Sequence, residues 1–244
     1  MKKRVKIIFS YDGAAFFGSQ IQKKSNIPTV MGNFQIALNA LGINTVSQAS
    51  GRTDKSVHAC NQVCHLDISK HFYDLDRLKK ILNHHLKPYI FIKDIRFVNP
   101  DFHARFNAKK RLYRYIVSHS LYNPLQTNYV TFMPKFDLHR LNSSIKTFEG
   151  THNFAYFKKK GSDTSSDIRI IYKAYAYKHK QYTVINFLGN SFLRSQIRLM
   201  CGFLFGIEKG KLSTEDLENQ LNLKHKIYTN PAPPHALYLS RIFY

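Results

Sequence analysis

The sequence predicts an α+β protein made of two ferredoxin-like α/β halves, with mostly antiparallel sheets meeting at a basic central cleft. Three observations lead there. Segments that alternate apolar and polar residues are interleaved with segments whose apolar residues recur every three to four positions. The first hundred residues place them in the order β-α-β-β-α-β, which the remainder repeats loosely. Two long stretches carry many cations and almost no carboxylates.

Each element has a local reason. Val5, Ile7, Phe9 and Tyr11 alternate with polar residues, as a half-buried strand does. Thr29 caps a helix through Val30, Phe34, Leu38 and Leu41, with Gly42 as its stop. The turn Ser50-Gly51-Arg52-Thr53 leads into a strand over Val57–Ile68. Asp74 opens a second helix through Leu78, Ile81 and Leu82; Pro88 ends it, and Tyr89–Val98 is a strand. In the second half, Arg111–Ser118 reads as a strand with Tyr113, Tyr115 and Val117 on one face. Leu138, Leu141, Ile145 and Phe148 mark a helix closed by Gly150. Strands follow over Arg169–Tyr177 and Tyr182–Leu188, then a longer helix through Leu193, Ile197, Cys201 and Leu204. Ser213 with Asp216 forms a capping box, and Pro231-Ala232-Pro233-Pro234 precedes a last strand over Leu237–Phe243. The domain boundary is expected near Asn99–Asn107, giving units 1–104 and 105–244.

Composition narrows the function. With 43% hydrophobic and 14% aromatic residues the 244-residue chain can build a core, which excludes a disordered polybasic tail. Against 15 Asp+Glu stand 37 Lys+Arg, a formal net charge of +22, so a polyphosphate or anionic surface is the expected partner. The longest apolar run, Leu199–Ile207, falls short of the about 20 residues a membrane span needs. Lys2, Lys3 and Arg4 open the chain, but Ser10, Tyr11 and Asp12 end the apolar stretch too early for a signal peptide. Three cysteines (Cys60, Cys64, Cys201) make no disulfide framework. The expectation is a soluble, cytoplasmic, nucleic-acid-binding protein without a membrane partner.

Basic clusters are dispersed: Lys23-Lys24, Lys79-Lys80, Lys109-Lys110-Arg111 and Lys158-Lys159-Lys160. Between Asp12 and Asp67 the sole carboxylate is Asp54, flanked by Arg52 and Lys55. A second acid-free stretch, Phe102–Phe136, holds Arg105, Lys109, Lys110, Arg111, Arg114 and Lys135. If the two stretches meet, they form a cationic cleft holding one anion.

Asp54 lies in a turn, where reactive groups are presented, although Asp also serves turns as a simple backbone acceptor. His58, Cys60, Cys64 and His65 sit on one strand, which cannot close a tetrahedral metal site by itself. No G-x-x-x-x-G-K loop supports a nucleotide cofactor. Tyr113 and Tyr115 suit either core packing or stacking on an unstacked base. Lys158–Lys160 is a solvated loop or a phosphate contact.

The string SGRTDKSVHA, Ser50–Ala59, is more specific than any of these. It resembles the catalytic motif of the tRNA pseudouridine synthase A (TruA) family. The likeness extends to Tyr11-Asp12-Gly13 with Gly18-Ser19-Gln20, to Thr29-Val30, to the FHARF run Phe102–Phe106 and to Tyr113-Arg114-Tyr115. Gly150–Phe154, Asn190–Gly202, Ala232-Pro233-Pro234 and Leu237-Tyr238-Leu239 continue it. The chain departs from the family pattern at Ser19 (usually Trp), Lys55-Ser56, Ser191 (usually Gly) and Ala236 (usually Gly).

The resemblance implies the pseudouridine synthase fold. It also implies isomerisation of uridine to pseudouridine in the anticodon stem-loop of tRNA, at positions 38 to 40, by a homodimer that needs neither cofactor nor metal. It matches Asp54 to the catalytic aspartate and Arg52 and Arg198 to basic residues that orient it. Tyr113 matches the aromatic that stacks on the target base. Arg105 and His58 are matched to RNA or support contacts; Lys109, Lys110 and Arg111, from the acid-free basic stretch, are expected to bind the substrate. Two other readings stay open: a non-catalytic RNA-binding protein, and a pseudouridine synthase acting on another RNA. Whether Asp54 attacks the sugar, attacks the base or removes a proton is also open.

Overall fold

In the computed structural model, residues 2–22, 26–159, 161 and 164–244 are described. Lys23, Lys24 and Lys160 of the basic clusters lie outside the described residues. The chain divides into two compact units, Met1–Lys109 with Tyr238–Tyr244, and Lys110–Leu237. Where the sequence suggests one cut, the chain makes two passes, the second returning seven residues to the first unit.

The first unit begins with β1 (Lys2–Tyr11), α1 (Val30–Ala40), β2 (Gln48–Ala49), β3 (His58–Ser69), α2 (Leu75–Leu86) and β4 (Ile90–Phe97). β1 lies between β4 and β3, antiparallel to both, and β2 pairs antiparallel with the far end of β3. Alternation in β1 buries Val5, Ile7 and Phe9 completely, and Phe34 of α1 stacks on Phe9 at 5.3 Å. Burying such a side chain contributes roughly 1.5–3 kcal/mol, so this pair anchors α1 to the sheet. The caps read from the sequence are in place. The Thr29 hydroxyl accepts from the Gly32 amide, the Asp74 carboxylate from the Arg77 amide, and Gly42 takes φ +76° just past α1.

The second unit contains β5 (Lys110–Ser118), β6 (Thr131–Phe132), α3 (Leu138–Lys146), β7 (Gly150–Asn153), β8 (Ile168–His179), β9 (Tyr182–Gly189), α4 (Gln196–Glu208) and α5 (Thr214–Leu221). β5 runs antiparallel to β9, from Arg111 opposite Gly189 to Ser118 opposite Tyr182; β9 pairs with β8, and β8 with β7. In each unit the first strand pairs antiparallel with a later long strand, β1 with β3 and β5 with β9, and that strand pairs in turn with the one preceding it, β2 or β8. The Ser213–Asp216 capping box opens α5. Two boundaries differ from the sequence expectation. Gly150, at φ +103°, opens β7 instead of closing α3, which ends at Lys146. α4 starts at Gln196, whose side-chain oxygen accepts from the Leu193 amide at 2.8 Å and holds Leu193 in the preceding turn. α4 contains the apolar run Leu199–Ile207 and buries it on all sides, as a core helix does. Among the described residues no helix is long and apolar enough to cross a membrane.

The last strand, β10 (Leu237–Phe243), pairs parallel with the start of β3, Tyr238 opposite His58 and Leu239 opposite Ala59. β2 and β10 thus occupy the two ends of one β3 edge. The Asn61 side chain donates to the Ser240 carbonyl at 2.7 Å, and the Tyr244 hydroxyl to the Ala104 carbonyl at 2.8 Å.

Candidate active site and RNA interface

Asp54 stands half-buried in the loop between β2 and β3, and the loop is fastened on every side within its own unit. Ahead of it, the Ser50 amide donates to the Val63 carbonyl at 2.7 Å and the Gln62 side chain donates to the Gly51 carbonyl at 3.0 Å. Behind it, the Val57 amide closes a turn on the Asp54 carbonyl at 3.2 Å. Ser56 sits at φ +62°, the left-handed turn position that the family pattern reserves for a smaller residue. The residue just before Asp54 is held most tightly. The Thr53 amide donates to the Ser19 hydroxyl at 2.7 Å, its carbonyl accepts from the Ser19 amide at 3.1 Å, and its hydroxyl meets that of Tyr11 at 2.8 Å. Gly18 lies under this loop at φ +109°, where a Cβ would come within 3.2 Å of the Thr53 carbonyl oxygen.

Arg52 and Lys55 flank Asp54 and are exposed, with the Lys55 ammonium 3.9 Å from the centre of the Phe17 ring. His58 is buried. Its Nδ1 lies 2.9 Å from the Gly13 amide nitrogen and 3.2 Å from an Asp12 carboxylate oxygen, and the ring stacks on Tyr238 at 4.7 Å. Of the two roles the resemblance allows His58, support for the loop is the one its surroundings supply.

The FHARF run forms a pinned turn at the edge of the same unit. His103 Nδ1 accepts from the amides of Arg105 and Phe106, and its Nε2 meets the Gln48 side-chain oxygen at 2.9 Å. The Ala104 amide donates to His65 Nδ1 at 3.2 Å. Burial, with His103 and Arg4 nearby, pushes His65 down to about 4. Arg105 is exposed, its guanidinium 5.7 Å from the exposed Phe106 ring. Lys109 follows, also exposed.

In the second unit Tyr113 and Tyr115 share a face of β5, as the alternation predicts, and both are buried. Tyr115 is core: its hydroxyl donates to the Pro233 carbonyl at 2.9 Å and meets the Thr131 hydroxyl at 2.7 Å, and burial raises its pKa. Tyr113 is 7% exposed and meets the Phe192 ring edge-on at 5.3 Å. Lys110 is exposed, 4.8 Å from the Tyr172 ring, and the Arg111 guanidinium donates to the Asn190 carbonyl at 2.9 Å. Arg198, in the first turn of α4, is clamped to one residue. Its Nε donates to the Ala232 carbonyl at 2.9 Å and its own carbonyl accepts from the Ala232 amide at 2.8 Å. Lys158 is committed to an ion pair with Asp167.

The structure therefore gathers Asp54, Arg52, His58, Arg105 and Lys109 in the first unit, and Tyr113, Lys110, Arg111 and Arg198 in the second. Among the described residues no group of three or more His, Cys, Asp and Glu side chains is placed to hold a metal ion. Cys64 and Cys201 are buried thiols whose pKa values burial raises. Sequence reasoning marked Ser19 only as a departure from the family pattern and passed over Gln62, which His58, Asn61, His65 and Asp67 of the same mixed strand keep from standing out.

Comparison with known proteins bears on the whole chain. A family model described as tRNA pseudouridine synthase matches residues 7–107 and 144–244, and so reaches both units. The chain is 42% identical over 242 residues, 99% of each chain, to a protein of Campylobacter jejuni subsp. doylei named tRNA pseudouridine synthase A. Proteins of the same name are 38% identical in Helicobacter pylori, over 98% of each chain, and 37% identical in Wolinella succinogenes, over 95% of this chain and 91% of that one.

Proposed function

The chain belongs to the tRNA pseudouridine synthase family, which isomerises uridine to pseudouridine in tRNA, and from that premise we propose that it acts on the anticodon stem-loop, at positions 38 to 40, through Asp54. The observation that carries this reading is the Asp54 loop. A ten-residue string of the family's catalytic motif is folded into a loop whose backbone is fixed on both sides of the one carboxylate in a long acid-free stretch.

The chemistry follows from what must happen to the nucleotide. A base paired in a stem has to leave the stack before any side chain reaches its glycosidic bond, which costs a few kcal/mol. Dispersed cations offset that cost through phosphate contacts; exposed Arg105, Lys109 and Lys110 are the residues assigned to them, with Arg111 beside them. Tyr113 supplies the aromatic face for the extruded base. Asp54 acts at the freed nucleotide while the bond from C1′ to N1 breaks, the base turns, and C5 bonds to C1′. Arg52 and Arg198 are assigned the orientation of that carboxylate. The hydrogen on C5 leaves to water and N1 gains one, so the product is an isomer and the balance needs neither oxidant nor nucleotide. The same reading makes the working form a cytoplasmic homodimer.

The test is a tRNA transcript labelled with tritium at uridine C5. Wild-type protein releases the label to water, and Asp54→Ala binds the tRNA but releases none. Release by neither, with binding intact across substrates bearing uridines in the anticodon arm, identifies a non-catalytic RNA-binding protein instead. Release from ribosomal fragments but not from tRNA identifies a synthase for another RNA.

A further inference from the structure

We propose that Ser19 is a positioning residue for the reaction, acting through Thr53 on Asp54; the inference rests on the reading of Asp54 as the reacting carboxylate. Ser19 is 2% exposed and lies between two elements that both need its polar atoms. Its carbonyl accepts from the Met31 amide at 3.0 Å, and the Gly18 carbonyl accepts from the Val30 amide at 3.2 Å. Together these bonds satisfy two of the orphan amides at the start of α1. The Ser19 carbonyl is therefore not the acceptor that completes an ordinary two-bond bridge to Thr53. The hydroxyl takes its place: the Ser19 amide donates to the Thr53 carbonyl at 3.1 Å, and the Thr53 amide donates to Ser19 Oγ at 2.7 Å.

One residue thus ties the first turn of a packed helix to the peptide units on either side of Thr53, the nearer of which begins Asp54. Only a side chain with an acceptor one bond beyond Cβ can do this. With the hydroxyl gone, the Thr53 amide loses its acceptor while the rest of Ser19 stays in place. The effect is expected on the placement of Asp54 rather than on the affinity for tRNA, because Ser19 is only 2% exposed.

The experiment compares Ser19→Ala, Ser19→Thr and Asp54→Ala in the full-length protein by tritium release and by amide hydrogen exchange. Ser19→Ala is expected to lower kcat about 10-fold, less than the about 100-fold that a 1 Å misplacement can cost, with KM unchanged. The Thr53 amide exchanges faster in the same variant while amides in β1 do not. Ser19→Thr, which keeps the oxygen, restores both. If Ser19→Ala does not fold, Ser19→Cys keeps the shape with a weaker acceptor and is read in the same assays. Wild-type kcat in Ser19→Ala, or an equal loss of kcat in the Thr variant that keeps the bond, overturns the inference. Wild-type turnover by Asp54→Ala overturns the underlying reading as well.

Discussion

Replacing Gly202 by Ala sets two effects of opposite sign against each other. Gly202 lies inside α4, and an ordinary helical Gly→Ala change stabilises by about 1 kcal/mol. Here a Cβ would stand 2.1 Å from the Asn230 carbonyl oxygen and 3.1 Å from the Ala232 amide nitrogen, where ordinary contact begins at 3.4 Å. The obstacle is backbone, so the 230–232 segment has to retreat by about 1 Å, and overpacking of this kind costs about 1–3 kcal/mol. That segment also carries both Ala232 bonds to Arg198, at 2.8 and 2.9 Å. Losing them adds about 1 kcal/mol apiece. The net expectation is a destabilisation of about 2–4 kcal/mol, or roughly 4–16 °C in Tm for a chain of this size. Circular-dichroism melting reads the stability, and tritium release reads the displacement of Arg198 as a loss of turnover. Gly206→Ala is the internal control. Its Cβ would meet Leu212 Cδ1 at 2.4 Å, the far end of a side chain that can rotate away, so its Tm should stay within a few degrees of wild type. A Gly202→Ala protein as stable as wild type, or more stable than Gly206→Ala, refutes the reasoning.

The two tyrosines of β5 should separate under one change. Tyr115→Phe removes the donor to Pro233 and the partner of Thr131 in the core, costing about 1–2 kcal/mol by urea titration. Tyr113→Phe keeps its ring and should keep much of the activity; complete loss with folding intact would show that its hydroxyl, and not stacking, matters. His65 gives a pH dependence of defined sign. Its pKa in the fold is about 4 against an ordinary 6.5, so between those values the unfolded chain binds a proton that the native ring refuses. Stability supplied by the neutral ring is complete above about 6.5 and declines as pH falls toward about 4. Urea midpoints measured across that window should fall less steeply in His65→Gln, and equal slopes in the two proteins would remove His65 from the account.

Elements whose causes are local were legible in the sequence. Thr29, Asp74 and Ser213 announce α1, α2 and α5 because a capping side chain acts within three residues of itself. β1 and β5 announce themselves by alternation, and the SGRTDKSVHA string located Asp54. What escaped depends on distant partners. β2 is two residues long and exists only through its pairing with β3. The sharing of the β3 edge between β2 and β10 joins residues some 180 positions apart, for which periodicity has no signal. Tyr113 and Tyr115 share a face and a chemistry, and only Pro233 and Thr131, brought in by the tertiary fold, mark Tyr115 as core. Ser19 stands out in the sequence only as a departure from the family pattern; that Met31 claims its carbonyl and Thr53 its hydroxyl emerges only in the fold.

The return of residues 238–244 to the first unit also sets an order of events during synthesis. Lys109 leaves the ribosome before the whole of residues 110–237, and at 5–20 residues per second the missing strand arrives roughly 10 s later. Until then the start of β3, directly after the Asp54 loop, lacks its parallel neighbour, and His58 lacks the ring of Tyr238. The unit that carries Asp54 is thus begun first and finished last. A nascent chain released before residue 238 would hold every residue of the SGRTDKSVHA loop without the strand that pairs with the start of β3.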